Sequence, residues 1–310
     1  MKKFIFLLLL SVFAPAVLTA DGPHWAYPIK VEKNMAPGEE EPEPRRLAGS
    51  SQSYTQAQID NLSSPPDWFP DQHAPMPAIV QRANGTTLAC ASCHLVSGHG
   101  HPESSHLSGL TAPYILRQLA DFKSGDRKEP TRMGSIVKSM TEDEMKQAAQ
   151  WFSSLKAGPW TKVVETDTVP KSYIGKGRMR FVAPGNETEP LGLRVVELPE
   201  DPIAATKRDP RSGFVAYVPK GSVAKGAALV TTGGAGKTMA CAACHGADLK
   251  GVGDVPRIAG ISPLYAARQL LGLKNGDRGG NSAVMMKAVA ANLGEEEIVS
   301  IVAYLATLAP

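Results

Sequence analysis

Residues 89–106 read ACASCHLVSGHGHPESSH and place two cysteines, Cys90 and Cys93, and four histidines, His94, His99, His101 and His106, in one short stretch. Residues 240–245, ACAACH, repeat its core, with Cys241 and Cys244 followed at once by His245. These are all four cysteines of the 310-residue chain. An exported chain would ordinarily use four cysteines for two disulfides. A zinc ribbon also uses two Cys-x-x-Cys pairs, but spaces them about 15–20 residues apart. Here the pairs lie 151 residues apart and histidine follows both, which favours neither use.

Cys-x-x-Cys-His is the attachment signature of c-type haem. The two thiols add across the vinyl groups of one porphyrin, and the following imidazole is delivered beneath the iron. Covalent attachment lets a small domain keep a large apolar cofactor. A closed, six-coordinate iron suits electron transfer, whereas an open position suits chemistry on oxygen or peroxide. The expectation is two covalently attached haem c groups, anchored by Cys90 and Cys93 and by Cys241 and Cys244, with His94 and His245 as iron ligands.

The 151-residue shift superposes more than the motifs. Gly85 meets Gly236, Thr87 meets Thr238, Gly100 meets Gly251 and Gly109 meets Gly260. Tyr114-x-x-Arg117-Gln118-Leu119 meets Tyr265-x-x-Arg268-Gln269-Leu270, and Lys123-x-Gly125-Asp126-Arg127 meets Lys274-x-Gly276-Asp277-Arg278. Two extra residues then change the offset, and Met133 falls on Met286, Glu142 on Glu295, Glu144 on Glu297 and Trp151 on Tyr304. Each copy should end in a helix. Ile298, Ile301, Val302, Leu305 and Leu308 recur at helical spacing in the second, and Thr141-x-x-Glu144 is a capping box in the first. The GGAGKT segment at 233–238 lacks the glycine that a phosphate loop needs at position 231, where Thr231 stands, so its glycines read as a turn.

The expected organisation is a signal peptide (1–20), a proline-rich extension (21–77), haem domain 1 (78–158), an insert (159–222) and haem domain 2 (223–310). The fold class is mainly α, with two tandem domains and a short β-containing or irregular insert. The leader reading rests on Lys2 and Lys3, an apolar run from Phe4 to Leu18 interrupted by Pro15, and Thr19-Ala20 ahead of Asp21. That run is short of the roughly twenty residues a spanning helix needs, so cleavage and a soluble periplasmic protein without a stable membrane span are expected. The insert alternates apolar residues in RMRFVAP, LRVVELP and GFVAYVP, which suggests short strands bracing the domains. The formal charge is +3, and +1 once Lys2 and Lys3 are set aside with the leader. That balance gives no support to a nucleic-acid partner.

One Cys-x-x-Cys-His per copy, a Tyr-x-x-x-Gln-Leu helix about twenty residues later and a methionine ahead of the last helix resemble class I c-type cytochromes. Two in tandem resemble the dihaem cytochromes of the cytochrome c4 type. The resemblance covers roughly residues 78–158 and 223–310, but not the extension or the long insert. It implies His94 and His245 as proximal ligands and Met133 and Met286 as distal ones. Spacing is compatible, since the methionines lie 39 and 41 residues beyond their histidines, enough chain to wrap the haem and return on its other face. Met285 competes with Met286, but only Met286 aligns with Met133. Met140, Met145 and Met285 read as core filler. Pro256 stands where the family uses a carbonyl to hold the proximal imidazole; Ser105 takes that place in the first copy, where a backbone carbonyl can still do the job, and the two haems need not have equal potentials.

His99, His101 and His106 are within reach of an iron, yet the second copy has Lys250, Val252 and Arg257 there and keeps its methionine. They read as surface residues that would make the first haem's potential depend on pH near the ordinary histidine pKa of about 6.5. His/Met ligation raises a reduction potential relative to two histidines. The expected function is therefore electron transfer between a respiratory donor, such as a dehydrogenase or quinol-oxidising complex, and an acceptor or terminal oxidase, with no catalytic residues of its own. The alternatives are a haem subunit of a periplasmic dehydrogenase complex and a dihaem peroxidase or thiosulfate-oxidising enzyme. The last is disfavoured because no cysteine is spare to act as a ligand.

Overall fold

The computed structural model describes residues 23–310 except 28–29, 33–36, 39, 84, 86–87 and 130–131. The expected signal peptide lies outside the described residues. No helix among the described residues is long and apolar enough to cross a membrane.

Among these residues the extension contributes one short helix, α1 (Gln56–Ile59). The first copy follows with α2 (Ala78–Gln81), α3 (Ala91–His94), α4 (Ala112–Ser124), α5 (Met133–Lys138) and α6 (Glu142–Ser154). The insert carries β1 (Thr161–Glu165), β2 (Thr168–Pro170), β3 (Ser172–Ile174), β4 (Arg180–Val182), β5 (Thr188–Pro190), β6 (Val196–Pro199), α7 (Pro202–Thr206) and β7 (Phe214–Val218). The second copy follows with α8 (Ser222–Thr232), α9 (Ala242–His245), α10 (Pro263–Asn275), α11 (Val284–Ala291) and α12 (Glu295–Thr307). Among the described residues, strands are confined to the insert, as its alternation implies.

Helices α4 and α10 start alike. Thr111 and Ser262 cap them through the Tyr114 and Tyr265 amides, which satisfies donors that an open helix end would leave unpaired. Both stop at a left-handed glycine, Gly125 and Gly276. In the first copy Ile115, Leu119 and Phe122 pack with Val137, Met145 and Phe152. In the second, Ala267 and Leu271 pack with Leu229, Ile298, Ile301 and Val302. Met140 and Met145 are core residues as expected, whereas Met285 is 66% exposed, a correction to its reading as core filler. Residues 234–237 form the expected turn after α8, with Gly233, Gly234 and Gly236 at positive φ.

The two copies meet across a local pseudo-two-fold axis at Arg127 and Arg278, which pair as an antiparallel bridge. Arg278 donates to Tyr114 Oη at 2.7 Å and to Gln118 Oε1 at 2.9 Å. Reciprocally, Arg127 donates to Tyr265 Oη at 3.1 Å and to Gln269 Oε1 at 2.6 Å. A second matched pair flanks them. Arg117 meets Asp254 at 2.7 Å and Arg268 meets Glu103 at 2.9 Å. The residues that reveal the repeat in the sequence are thus the ones that join its copies.

In the insert, β7 lies between β1, which is parallel to it, and β6, which is antiparallel. Two further hairpin-like pairs, β2 with β5 and β3 with β4, extend from it. The extension is irregular but anchored. Trp68 Nε1 donates to the Lys207 carbonyl at 2.8 Å, and Trp25 Nε1 donates to Glu295 at 2.7 Å. Trp68, Phe69, Leu47 and Ile59 form a small core of their own.

Glu197 of β6 is 3% exposed and accepts hydrogen bonds from Ser262 Oγ (2.7 Å) and the Leu264 amide (3.0 Å) at the start of α10. Burial pushes its carboxyl up to about 7, against the lowering effect of those two bonds. The folded state therefore keeps a proton that the unfolded chain has lost above the ordinary value of 4.5. Its stabilisation is full below that value and declines as pH rises through about 7, by at most about 3 kcal/mol. Denaturant unfolding at about pH 5 and about pH 8 should show this decline, and Glu197→Gln should flatten it.

Candidate functional site

Each Cys-x-x-Cys-His segment forms a single helical turn. The Cys90 and Cys241 backbones are already helical, and the amides of His94 and His245 donate to their carbonyls at 3.1 and 3.0 Å. Cysteine and histidine four residues apart then lie on one face. None of the four cysteines is in a disulfide. Burial pushes Cys90 up to about 12 and Cys241 up to about 11, which holds both as neutral thiols.

The histidines are buried and oriented identically. His94 Nδ1 lies 2.9 Å from the Ser105 carbonyl, and His245 Nδ1 lies 2.7 Å from the Pro256 carbonyl. A carbonyl can only accept, so Nδ1 carries the proton and Nε2 keeps the lone pair a metal needs. Burial lowers both imidazole pKa values, which favours the neutral, ligating form. The Pro256 carbonyl sits where the sequence reading put it, and Ser105 supplies the same bond. Both copies thus hold the imidazole through a backbone carbonyl, as the sequence allowed.

Sequence reasoning aligned Gly100 with Gly251 but missed what they do. Their amides donate to the His94 and His245 carbonyls, each at 2.9 Å. Both have positive φ (+69° and +93°), and a β-carbon at Gly100 would lie 2.8 Å from the Ser105 oxygen. At Gly251 it would lie 2.6 Å from the Val255 oxygen and 3.0 Å from the Pro256 carbonyl carbon. The loop can fold back onto the imidazole only because no side chain stands there.

A cavity of about 960 Å³ takes in Cys90, Cys93, His94 and Met133 together, with apolar walls that include Ile115, Leu119 and Phe152. Its size, its apolar lining, two thiols, an imidazole with Nε2 unprotonated and a thioether fit an attached haem. Trp160, Arg178, Met179, Arg208 and Phe214 of the insert, with Tyr265, Arg268 and Arg278 of the second copy, complete the walls. Cys241, Cys244, His245 and Met286 lie outside this cavity. Met286 packs on Leu273, Ala283 and Ala290 from α11. The Thr238 hydroxyl ties the segment before Cys241 to α11 by donating to the Val289 carbonyl at 3.4 Å.

The reading of His99, His101 and His106 as surface residues is corrected. His106 is 4% exposed, and the other two are partly buried. His99 stacks on Trp160, with ring centroids 4.7 Å apart, and meets His106 edge to face. Burial, with Arg257 nearby, holds His99 down to about 4 and His106 well below the usual range. Burial, reinforced by Arg208, holds His101 down to about 3. All three are neutral near pH 6.5, so they cannot supply the pH dependence expected of them. The insert and the second copy cover them, and local sequence carries no sign of that.

Gly251→Ala or Gly100→Ala should destabilise the protein by about 1–3 kcal/mol through backbone strain and push the accepting carbonyl off the imidazole. Thermal denaturation should show a lowered Tm, and electron paramagnetic resonance of the oxidised protein should show an altered axial-imidazole signal.

A family model described as Cytochrome c matches residues 223–309. The thiosulfate dehydrogenase electron acceptor of Stutzerimonas stutzeri is 23% identical over 229 residues, covering 73% of this chain and 82% of that protein. Cytochrome c4 of the same species is 24% identical over 242 residues, covering 73% of this chain and 87% of that one. Cytochrome c-554(547) of Halothiobacillus neapolitanus is 35% identical over 85 residues, which are 24% of this chain and 93% of that cytochrome. On this similarity, which spans nearly all of a cytochrome c, and on the motif geometry, the chain belongs to the cytochrome c family.

Proposed function

We propose that the chain is a periplasmic dihaem cytochrome that passes electrons between a respiratory donor and an acceptor or terminal oxidase. The observation that carries this reading is the duplicated motif turn, with each histidine locked through Nδ1 to a carbonyl eleven residues on. In each copy two cysteines anchor the porphyrin, and haem iron supplies reversible one-electron chemistry. His94 and His245 would hold the iron through Nε2, and Met133 and Met286 would supply its thioether ligand. Placement on the inner side of α11 supports Met286, since Met285 points to solvent. The apolar cavity excludes water around the first site, which limits reorganisation when charge changes.

Domain limits of 78–158 and 223–310 suit this reading, with the insert as a brace between them. A second reading is a haem-bearing subunit docked on a dehydrogenase. The similarity to a thiosulfate dehydrogenase electron acceptor favours it, and the anchored extension and insert offer interface. Size-exclusion chromatography of the native protein separates the two readings, because a carrier elutes alone. Turnover of thiosulfate or peroxide at enzymatic rates by the purified protein would overturn both.

Methionine ligation is tested by the near-infrared sulfur-to-iron charge-transfer band of the oxidised protein. Met133→His and Met286→His should each halve its intensity while both haems stay attached, and Met285→Leu should leave it unchanged. A full band in either histidine variant removes that methionine from the ligand set.

A further inference from the structure

The insert reaches the first site with two arginines in unusual backbone positions. Arg208 follows α7, and its amide closes the helix end on the Ala205 carbonyl at 3.0 Å. Its φ is +58°, at a left-handed helix terminus where glycine is the usual occupant. Arg178 has φ +62° beside Gly177 at +71°, in the turn between β3 and β4. A side chain at either position strains the backbone, so what is retained there is the guanidinium. Both line the cavity with Cys90, Cys93 and His94.

Arg208 donates from Nη1 to the carbonyl of Ser92, inside the Cys90-to-Cys93 loop. That acceptor is neutral, and among the described ion pairs Arg208 has no carboxylate partner. Asp60, a carboxylate whose charge acts on it, is paired with Lys176 at 2.5 Å. Arg132 and Arg178 line the same cavity as Arg208, with Glu129 among them. Guanidiniums thus outnumber the carboxylate in that group, and Arg208 is partly buried, where its charge acts more strongly than in water.

We propose that Arg208, supported by Arg178, is a positioning residue through which the insert holds positive charge against the first attachment loop and raises the reduction potential of the haem held there. This rests on the reading that Cys90, Cys93 and His94 carry a haem. Oxidised iron has one more positive charge than reduced iron, so a fixed cation nearby disfavours the oxidised form. Both copies hold their histidines alike, so this contact is one respect in which the two sites differ.

The test is redox titration of the full-length, haem-loaded protein. Met133→His marks which of the two waves belongs to the first site. Arg208→Gln should shift that wave to lower potential and leave the other in place, while Arg208→Lys, which keeps the charge, should restore most of the shift. A first wave unmoved by Arg208→Gln, or one that falls equally with lysine, overturns the proposal. If Arg208→Gln does not retain two haems, Arg178→Gln decides, with a downward shift in support and an unmoved wave against. Failure of the underlying reading is distinct: a Cys90→Ala, Cys93→Ala double variant would then keep two covalent haems by mass.

Discussion

A single hydrogen bond organises each half of this protein: the imidazole Nδ1–H of the motif histidine held by a carbonyl eleven residues downstream. It fixes the tautomer, aims Nε2 and closes the loop that follows the motif turn. The glycine that makes the loop possible also donates back to the same histidine's carbonyl. The imidazole is thus gripped through its ring and through its backbone, and the iron site inherits that rigidity.

The two halves are then made into one body by arginines reaching across to the other copy's tyrosine and glutamine. A buried guanidinium is costly unless its donors are used, and here both are shared among four acceptors. The insert adds a third party. β1 and β6 lean on the second copy, with Glu197 gripping the start of α10, while Trp160, Phe214 and Arg208 reach into the first site. Symmetric copies are thereby given unequal surroundings.

Much of this was legible in the residues. Two Cys-x-x-Cys-His motifs specify local turns, and the repeat located the helices because capping residues and apolar spacing recur with it. The strands of the insert followed from alternation in LRVVELP and GFVAYVP. The three histidines were not legible as buried groups, because their cover comes from Trp160 and Arg257, far along the chain. Gly100 and Gly251 were visible as a matched pair, but their role depends on a backbone approach that only the folded loop displays. The repeat already singled out Met286 by its alignment with Met133, and the direction of α11 adds that Met285 faces solvent.

The first pocket has consequences for assembly. Its walls run from Tyr27 to Arg278 in sequence, so the enclosed space exists only after nearly the whole chain has collapsed. Long-range contacts of this kind form late in folding. On the proposed reading, a porphyrin joined to Cys90 and Cys93 would have to arrive while that space is still open, with the insert and second copy closing over it. Maturation of the first site would then be tied to completion of the last domain, an order of events that a pair of independent cytochrome domains would not impose.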